Sequence, residues 1–324
     1  KSTVTNTIGD SMLAASIHEH AGLGNQIWRY VCCRVFAEKL GYDWGVSHLG
    51  WRGPFLNIKW GTPVLYNVEQ DTDFYIRDGI EHYYKEKWIH HATAPGEIGD
   101  PDPEFYKIKD NTYINGTFQR MSYIEDRRDD ICNWLDYRPE FKIKDYSSEN
   151  ICVIQLRGGD YTTGHSMLPP LYYKMAMAHM KQNNPDVEFV VVTDDPATSQ
   201  KMLPDVPVVG SAVSEEKDPH QKNIGWYQYT GGPVGFDYGI LNHAKYAIIS
   251  ASTFAFWPIW TNKNLKNVIA PKFWFDWSRS DGWWRPKDGI VKDDAWLYLD
   301  MQGHLYTSNI CAEHAVDYYD NQSS

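Results

Sequence analysis

Positive charge is scarce in this 324-residue chain, in which 31 Lys and Arg stand against 42 Asp and Glu, for a formal net charge of −11. A nucleic-acid binder needs a basic face that replaces the counterions of the phosphates, so this balance argues against that class of partner. Long apolar runs are missing too. No window approaches the about 18 consecutive apolar residues of a membrane-spanning helix, and no signal peptide is visible.

Cysteine is also sparse, and the five thiols cannot all pair. Cys32 and Cys33 fall in a helical pattern and Cys152 in a strand pattern, which favours buried free thiols. None has the spacing of a zinc site. Aromatic residues, by contrast, are abundant, with 14 Trp and 22 Tyr. Such rings fill cores, and they also form flat walls on which sugar rings stack.

The second half of the chain alternates strand-like and helical patterns. The apolar runs are ICVIQL (151–156), EFVVVT (188–193), VPVV (206–209), YAIIS (246–250) and NVIA (267–270). Continuous apolar strands that alternate with helices predict an α/β fold with a doubly wound parallel sheet. In the helical stretch between the first two runs, Pro170 suits the first turn, and Leu171, Met175 and Ala178 follow at helical spacing.

The first half is less regular. A strand is expected at 12–17, then a helix that ends at Gly41 in a left-handed cap. The stretch TYINGTF predicts another strand, and Ser122 with Glu125 matches a capping box for a helix that runs to about Leu135. We expect two domains, an amino-terminal one at 1–145 and a carboxy-terminal one at 146–324.

VIQLRGGDYTTG (153–164) places a cation, two glycines and an anion after an expected strand. The Arg157 guanidinium presents a fork of donors that matches phosphate oxygens. Gly158 and Gly159 are expected to leave backbone N–H groups free to form an anion cradle. Asp160 either braces Arg157 or accepts a proton from a hydroxyl. The alternative is an ordinary turn with a local Arg–Asp ion pair.

Other polar groups fall at neighbouring strand ends, where parallel sheets bind ligands. In ASTFAFW, Ser252 and Thr253 either bind a phosphate at the helix N-terminus or simply cap the helix. In VTDDP, Asp194 and Asp195 either accept hydrogen bonds from a ribose or base, or cap the helix that follows.

AGLGNQ (21–26) is a third candidate, because Gly22 and Gly24 lie between an expected strand and helix, with Asn25 and Gln26 as neutral donors. It lacks the third glycine of a dinucleotide fingerprint and the Gly-Lys-Ser/Thr end of a nucleotide-hydrolase loop, which argues against both classes. Asp71 and Asp73 have the spacing of a metal-binding triplet, without a matching nucleotide-binding pattern upstream.

Taken together, the motifs resemble those of the alpha-1,2-fucosyltransferases and, more distantly, of the alpha-1,6- and protein O-fucosyltransferases. AGLGNQ resembles GGLGNQ, GTFQRMSYIED resembles YFQS-KYF-D, and QLRGGDYTT resembles HVRRGDYV. TDDP stands for SDDP, ASTFAFW for NSTFSWW, and VIAPKFWF for VIAPKKWF. The order is kept from residue 12 to about residue 300, with the middle of the first half unmatched.

The resemblance implies a GT-B-like fold of two Rossmann-like domains with a deep interdomain cleft. It implies an inverting transfer of L-fucose from GDP-fucose to a glycan hydroxyl, without a metal or other cofactor. The donor phosphates are assigned to Arg157, Ser252 and Thr253, and guanosine to Asp237. The full set expected to bind the donor is Gly22, Gly24, Asn25, Gln155, Arg157, Asp194, Asp195, Asp237, Ser252, Thr253 and Phe254.

Two departures concern the donor sugar. The signature histidine is Gln155, whose amide still donates and accepts, and the second arginine is Gly158, which removes one cation from the donor pocket. The open alternatives are therefore another nucleotide sugar on the same scaffold, or a glycan-binding module without catalysis. A metal-dependent transferase that uses Asp71 and Asp73 is a further rival.

For catalysis, Arg157 is expected to stabilise the departing GDP. Asp160 is the first candidate for the general base, followed by His165, Glu19 and His20. The acceptor wall is expected among the Trp and Tyr residues of 51–88, and alanine substitution of Trp51, Trp60 and Trp88 would test this. A cytoplasmic location is favoured over the Golgi lumen, and the oligomeric state stays open.

Overall fold

The computed structural model describes residues 11–17, 21–47, 51–58, 67–68, 75–76, 80–86, 102–139, 145–163, 166–214, 234–273 and 289–322. These residues fall into two compact units, one that extends to Asp136 and one that begins at Tyr137. In the part of the chain so described, no helix combines the length and the apolar character needed to cross a membrane.

Unit one contains a four-stranded parallel sheet in the order β2-β1-β6-β5 and a separate antiparallel pair, β3 and β4. Short 3-10 turns cover 103–107, 121–123 and 125–127. The elements are β1 (Met12–Ser16), α1 (Leu23–Leu40), β2 (Asp43–Ser47), β3 (Asn67–Val68), β4 (Tyr75–Ile76), β5 (His82–Lys85), β6 (Thr112–Asn115) and α2 (Arg128–Trp134).

The first long helix matches its sequence pattern. Ile27, Val31 and Val35 recur every fourth residue and are all fully buried. Gly41 caps the helix at φ 75°, the left-handed conformation that the sequence predicts at this position. The strand expected at 12–17 is confirmed as β1.

The predicted capping box is wrong. Ser122 and Glu125 lie in two consecutive 3-10 turns, and α2 begins only at Arg128, without a side-chain cap. Tyr123 and Ile124 are buried in this stretch, at 1% and 0% exposure. The burial of these two side chains therefore decides the local conformation, and it overrides the capping preference.

Unit two contains a seven-stranded sheet in the order β13-β12-β11-β10-β7-β8-β9, in which only the β12–β13 pair is antiparallel. Turns of 3-10 type cover 159–163 and 210–213. The elements are β7 (Ile151–Leu156), α3 (Pro170–Asn183), β8 (Glu188–Thr193), α4 (Pro196–Met202), β9 (Val208–Val209), α5 (Val234–Asn242), β10 (Tyr246–Ile249), α6 (Thr253–Trp260), β11 (Asn267–Pro271), β12 (Trp296–Leu299), β13 (Leu305–Thr307) and α7 (Ser308–Gln322).

The parallel sheet predicted for the second half is therefore confirmed, although β9 is only two residues long. Numbered by their appearance in this unit, the six parallel strands follow the order 3-2-1-4-5-6. The chain reverses direction across the sheet between β7 and β10. In open α/β sheets, ligands bind beyond the carboxyl ends of the strands at such a switch point.

Helix α3 forms where predicted, with Pro170 in its first turn, but it buries a different face. Leu171 is 54% exposed, whereas Tyr172 is fully buried. The Tyr172 hydroxyl donates to the carbonyl oxygens of Ile249 (2.8 Å) and Ile269 (3.2 Å), at the point where the β10–β11 pairing ends. Buried carbonyls need partners, so this phenol completes the sheet where the ladder stops.

Candidate functional site

Arg157 directly follows β7 and lies between two carboxylates. One guanidinium nitrogen, Nη2, is 2.7 Å from Oδ1 of Asp160, and the other, Nη1, pairs with Oδ2 of Asp194. The Arg157 side chain is 21% exposed, Asp160 is 38% exposed and Asp194 only 10%. The Arg–Asp ion pair of the turn interpretation is thus present, and the role of Arg157 toward a phosphate stays a prediction.

The two glycines do not leave their N–H groups free, so that expectation is wrong. Gly158 N–H donates to Oδ1 of Asp194 at 2.9 Å, and the backbone N–H of Gly159 bonds Asp195. A Cβ on Gly158 would lie 2.5 Å from Cβ of Asp195, which no side chain tolerates. The N–H groups assigned to the anion cradle therefore bind the protein's own aspartates.

The pKa values of the two neighbouring aspartates are shifted in opposite directions. Burial raises the pKa of Asp194, against the lowering effects of Arg157 and the Gly158 N–H. Burial also raises the pKa of Asp195, but hydrogen bonds from Thr198 and Gly159 outweigh it and hold the pKa below its usual value. Asp195 caps α4 through Thr198 N–H (3.0 Å) and Oγ1 (2.6 Å), as the capping alternative predicts.

The loops after β7 and β10 are joined at the switch point. Ser250 Oγ donates to Oε1 of Gln155, and Ser250 N–H donates to the Gln155 carbonyl at 3.2 Å. The Tyr161 hydroxyl reaches across to the carbonyl of Ala251 at 3.1 Å. Gln155, the residue in place of the signature histidine, is only 3% exposed and is the last residue but one of β7.

Ser252 precedes α6 in extended backbone and is 4% exposed. Its side chain makes no capping hydrogen bond, so the alternative in which the Ser252 hydroxyl simply caps the helix is wrong. Thr253 and Phe254 begin the helix half-buried, and the Phe254 ring meets Tyr238 edge-on at 6.2 Å. Their roles toward a donor stay predictions.

Asp237 lies in α5 with 2% exposure, and its carboxylate is bonded within the unit. Ser211 N–H donates to Oδ1 at 2.6 Å, and the Ser211 hydroxyl donates to Oδ2. Asp237 therefore fixes the turn after β9, a contact that the sequence does not reveal. Its predicted contact with guanosine stays a prediction.

In unit one, Gly22 is the N-cap of α1 and Gly24 is buried in its first turn. Asn25 Oδ1 accepts from Nε2 of Gln119 at 3.1 Å, and Gln26 Oε1 accepts from the Arg52 N–H at 3.0 Å. The first of these bonds joins two motifs that are 94 residues apart in the chain, AGLGNQ and GTFQR.

Several predicted residues lie outside the described residues, namely Glu19, His20, His165, Trp60, Trp88, Asp71 and Asp73. Trp51 is described and half-buried. Among the residues that the structure covers, no group of three or more His, Cys, Asp and Glu side chains is arranged to hold a metal ion. The expectation of a metal-independent reaction stays a prediction.

Comparisons with known proteins give distant likenesses, and no family model matches the chain. The curated O-antigen biosynthesis glycosyltransferase WbnK of Escherichia coli is 23% identical over 200 residues, which are 54% of this chain and 62% of that protein. The match therefore spans less than two thirds of that relative's length.

Among solved structures, the chain is similar to NodZ alpha-1,6-fucosyltransferase soaked with GDP-fucose, with 14% identity, a TM-score of 0.44 and coverage of 91% of this chain and 98% of that one. It is also similar to fucosyltransferase NodZ from Bradyrhizobium, with 14% identity, a TM-score of 0.41 and coverage of 80% and 94%.

Proposed function

We propose that the chain is a glycosyltransferase that moves L-fucose from GDP-fucose to a hydroxyl of a glycan acceptor. The observation that carries this proposal is the grouping of polar side chains at the switch point of the unit-two sheet. Arg157, the Gln155–Ser250 pair and Ser252 lie at the carboxyl ends of β7 and β10, the two adjacent strands at which the order reverses. The ordered motif set and the curated glycosyltransferase relative support the same reaction class.

In this proposal the main chemical demand is stabilisation of the departing diphosphate. Arg157 meets it with a guanidinium whose plane is fixed by Asp194 on one side and Asp160 on the other. Because Asp160 is already paired with Arg157, the geometry favours the bracing role for this carboxylate over the role of general base. The reaction inverts the anomeric centre, forms an alpha-1,2 linkage and needs no metal.

A second candidate keeps the scaffold and changes the donor, and Gly158 is the observation that favours it. The space that a second arginine would need is filled by Asp195, whose Cβ is 2.5 Å from the position of a Cβ on Gly158. One guanidinium then faces two carboxylates, those of Asp160 and Asp194. A nucleotide sugar with a less charged phosphate moiety suits this balance better than a diphosphate does.

Isothermal titration with GDP-fucose, GDP, UDP-sugars and CMP-sugars in EDTA separates these candidates. We expect GDP and GDP-fucose to bind with a stoichiometry near one, with or without EDTA. Binding of a different nucleotide sugar alone would favour the second candidate. Loss of binding in EDTA would favour a metal-dependent transferase, and binding of glycans without any nucleotide would favour a non-catalytic module.

Arg157→Ala tests the assigned cation directly. We expect the rate of GDP release from GDP-fucose to fall about a hundredfold or more, by analogy with the loss of a preorganised donor. Arg127→Ala is the matched control, because Arg127 is likewise held between two carboxylates, Glu38 and Asp130, each at 2.5 Å. Wild-type turnover and GDP affinity in Arg157→Ala would refute the assignment.

A further inference from the structure

Glu86 is a buried carboxylate that the reaction outlined above does not use. It directly follows β5 in unit one and is 7% exposed. Its Oε2 accepts two backbone N–H groups, from Thr117 and Phe118, both at 2.8 Å. These two residues belong to the loop after β6, the strand paired in parallel with β5. The carboxylate therefore holds the loop of the neighbouring strand.

The loop is shaped around this carboxylate. A Cβ on Gly116 would lie 2.5 Å from Cβ and 2.6 Å from Oε2 of Glu86, so only glycine fits there. Phe118 has φ 54°, in the left-handed region that residues with side chains rarely adopt. Its ring is fully buried and stacks on Phe105 at 5.2 Å. The strained conformation is thus fixed at both its backbone and its side chain.

This kink determines where the next residue points. Gln119 follows Phe118, and its Nε2 donates to Oδ1 of Asn25 at 3.1 Å. Because its oxygen is occupied in this way, the Asn25 carboxamide keeps its own Nδ2 donors in a defined direction. Glu86 is therefore connected to Asn25 through the strained turn, whose two N–H groups bind Glu86, and through the Gln119 side chain, which makes a third hydrogen bond to Asn25.

A neutral surface loop would not require a buried anion at this place. Burial raises the pKa of Glu86, and the N–H groups of Phe118 and Thr117 with the charge of Arg120 oppose that effect. Arg120, two residues beyond the kink, is itself 7% exposed. Removing a carboxylate from water costs free energy. The hydrogen bonds that Glu86 accepts from the loop offset this cost, and they order the loop.

We propose that Glu86 is a positioning residue, which fixes the Thr117–Phe118 turn so that Gln119 orients the Asn25 carboxamide toward the nucleotide sugar. This proposal rests on the proposed function, because Asn25 matters here only as a residue that contacts the donor. In this proposal Glu86, which follows β5, and the GTFQR motif, which follows β6, both serve to orient Asn25.

The test is isothermal titration of the full chain with GDP-fucose, together with thermal unfolding. In Glu86→Ala we expect Kd to rise about tenfold, the effect of one hydrogen bond at the strong end of its usual net range, while the stoichiometry stays near one. Glu86→Gln retains an oxygen that accepts both N–H groups, and its Kd should stay within about twofold of wild type. Glu104→Ala, a surface acid paired with Lys107, is the control without effect.

A merely structural role gives a different result, namely a lower melting temperature and a lower binding stoichiometry with an unchanged Kd. The double variant Glu86→Ala/Asn25→Ala should bind no more weakly than Asn25→Ala alone, because both act on one contact. Independent, multiplying effects would overturn the proposal.

Gln119→Ala keeps the proposal testable if Glu86→Ala does not fold. Gln119 is half-buried, and we expect its substitution to raise Kd by the same factor. A wild-type Kd in this variant would overturn the proposal. Failure of the wild-type chain to bind GDP-fucose would instead overturn the proposed function. That outcome is distinct from a wild type that binds while every variant keeps its affinity.

Discussion

The two units hold a loop in the same way. In unit one, Glu86 after β5 binds the N–H groups of the loop after β6, and in unit two, Asp194 and Asp195 after β8 bind those of the loop after β7. Each arrangement joins neighbouring parallel strands and includes a glycine without room for a Cβ.

The difference lies in what the held loop presents. In unit two, Asp194 bonds both the backbone of Gly158 and the guanidinium of Arg157, so loop shape and charge depend on one side chain. In unit one, Oε2 of Glu86 accepts hydrogen bonds from backbone N–H groups only. The loop contacts Asn25 through the uncharged amide of Gln119. The same device therefore serves a charged contact in one unit and an uncharged one in the other.

The largest expected effect on stability comes from removing Asp194, because its carboxylate bonds both the Gly158 backbone and the Arg157 guanidinium. Asp194→Ala removes one of the two carboxylates that pair with a mostly buried guanidinium, and it removes the acceptor of the Gly158 N–H. We therefore expect a loss of about 3 kcal/mol in the free energy of unfolding. Urea denaturation measures it. Asp194→Asn keeps an acceptor for the N–H group and should lose less, and equal losses in the two variants would contradict the shared role.

Gly158→Ala tests whether the loop after β7 requires a glycine beside Asp195. The added Cβ would lie 2.5 Å from Cβ of Asp195, so we expect a loss of about 2 kcal/mol, in the usual range for overpacking. Gly22→Ala is the control, because nothing lies within 4 Å of its Cβ position. Gly158→Arg should be destabilised as well, without regained donor affinity, and a stable variant with tighter GDP binding would contradict this account.

Asp195→Ala should have a smaller effect. It removes the cap of α4 and the partner of the Gly159 N–H, and loss of an N-cap acid costs about 1 kcal/mol. Denaturation in urea again gives the value. Asp195→Asn, which still accepts from Thr198, should recover most of the loss, and an alanine variant as stable as wild type would show that the cap is dispensable.

The smallest effect is one of pH, and it has opposite signs in the two loops. The pKa of Glu86 is raised on folding, so its contribution is fully present below its ordinary value of 4.5 and is lost as pH rises through the folded pKa. The pKa of Asp195 is lowered, so its contribution is present above its ordinary value of 3.8 and is lost as pH falls through the folded pKa.

Urea unfolding of wild type, Glu86→Gln and Asp195→Asn from pH 3 to pH 7 should show these opposite trends. Relative to wild type, Glu86→Gln should gain stability as pH rises, whereas Asp195→Asn should lose it. Parallel pH profiles for the two variants would contradict the electrostatic difference between the loops.

The sequence allows much of unit two to be predicted, because continuous apolar runs such as 151–156 and 188–193 stand out between polar turns. It fails where tertiary contacts decide. The N–H groups of Gly158 and Gly159 are taken by residues about 36 positions away, once Leu156 pairs with Thr193 in the sheet. That register is visible only after the neighbouring strands are known.

Other residues leave no signal at all. Glu86 lies in the polar stretch KEKW, which resembles a solvated segment, and its burial depends on a loop 31 residues further along the chain. The face of α3 is misjudged for a related reason. The aromatic Tyr172 serves as a hydrogen-bond donor to two strands, so it is buried in place of the aliphatic Leu171.

The Gln155–Ser250 contact has one more consequence. An imidazole at position 155 would gain and lose a proton between about pH 5 and pH 8, whereas a carboxamide does not titrate in water. The seam between the first and fourth strands of the unit-two sheet is therefore indifferent to acidification. A ligand that contacts Gln155 or Ser250 should therefore meet the same hydrogen-bonding groups at mildly acidic pH as at neutral pH.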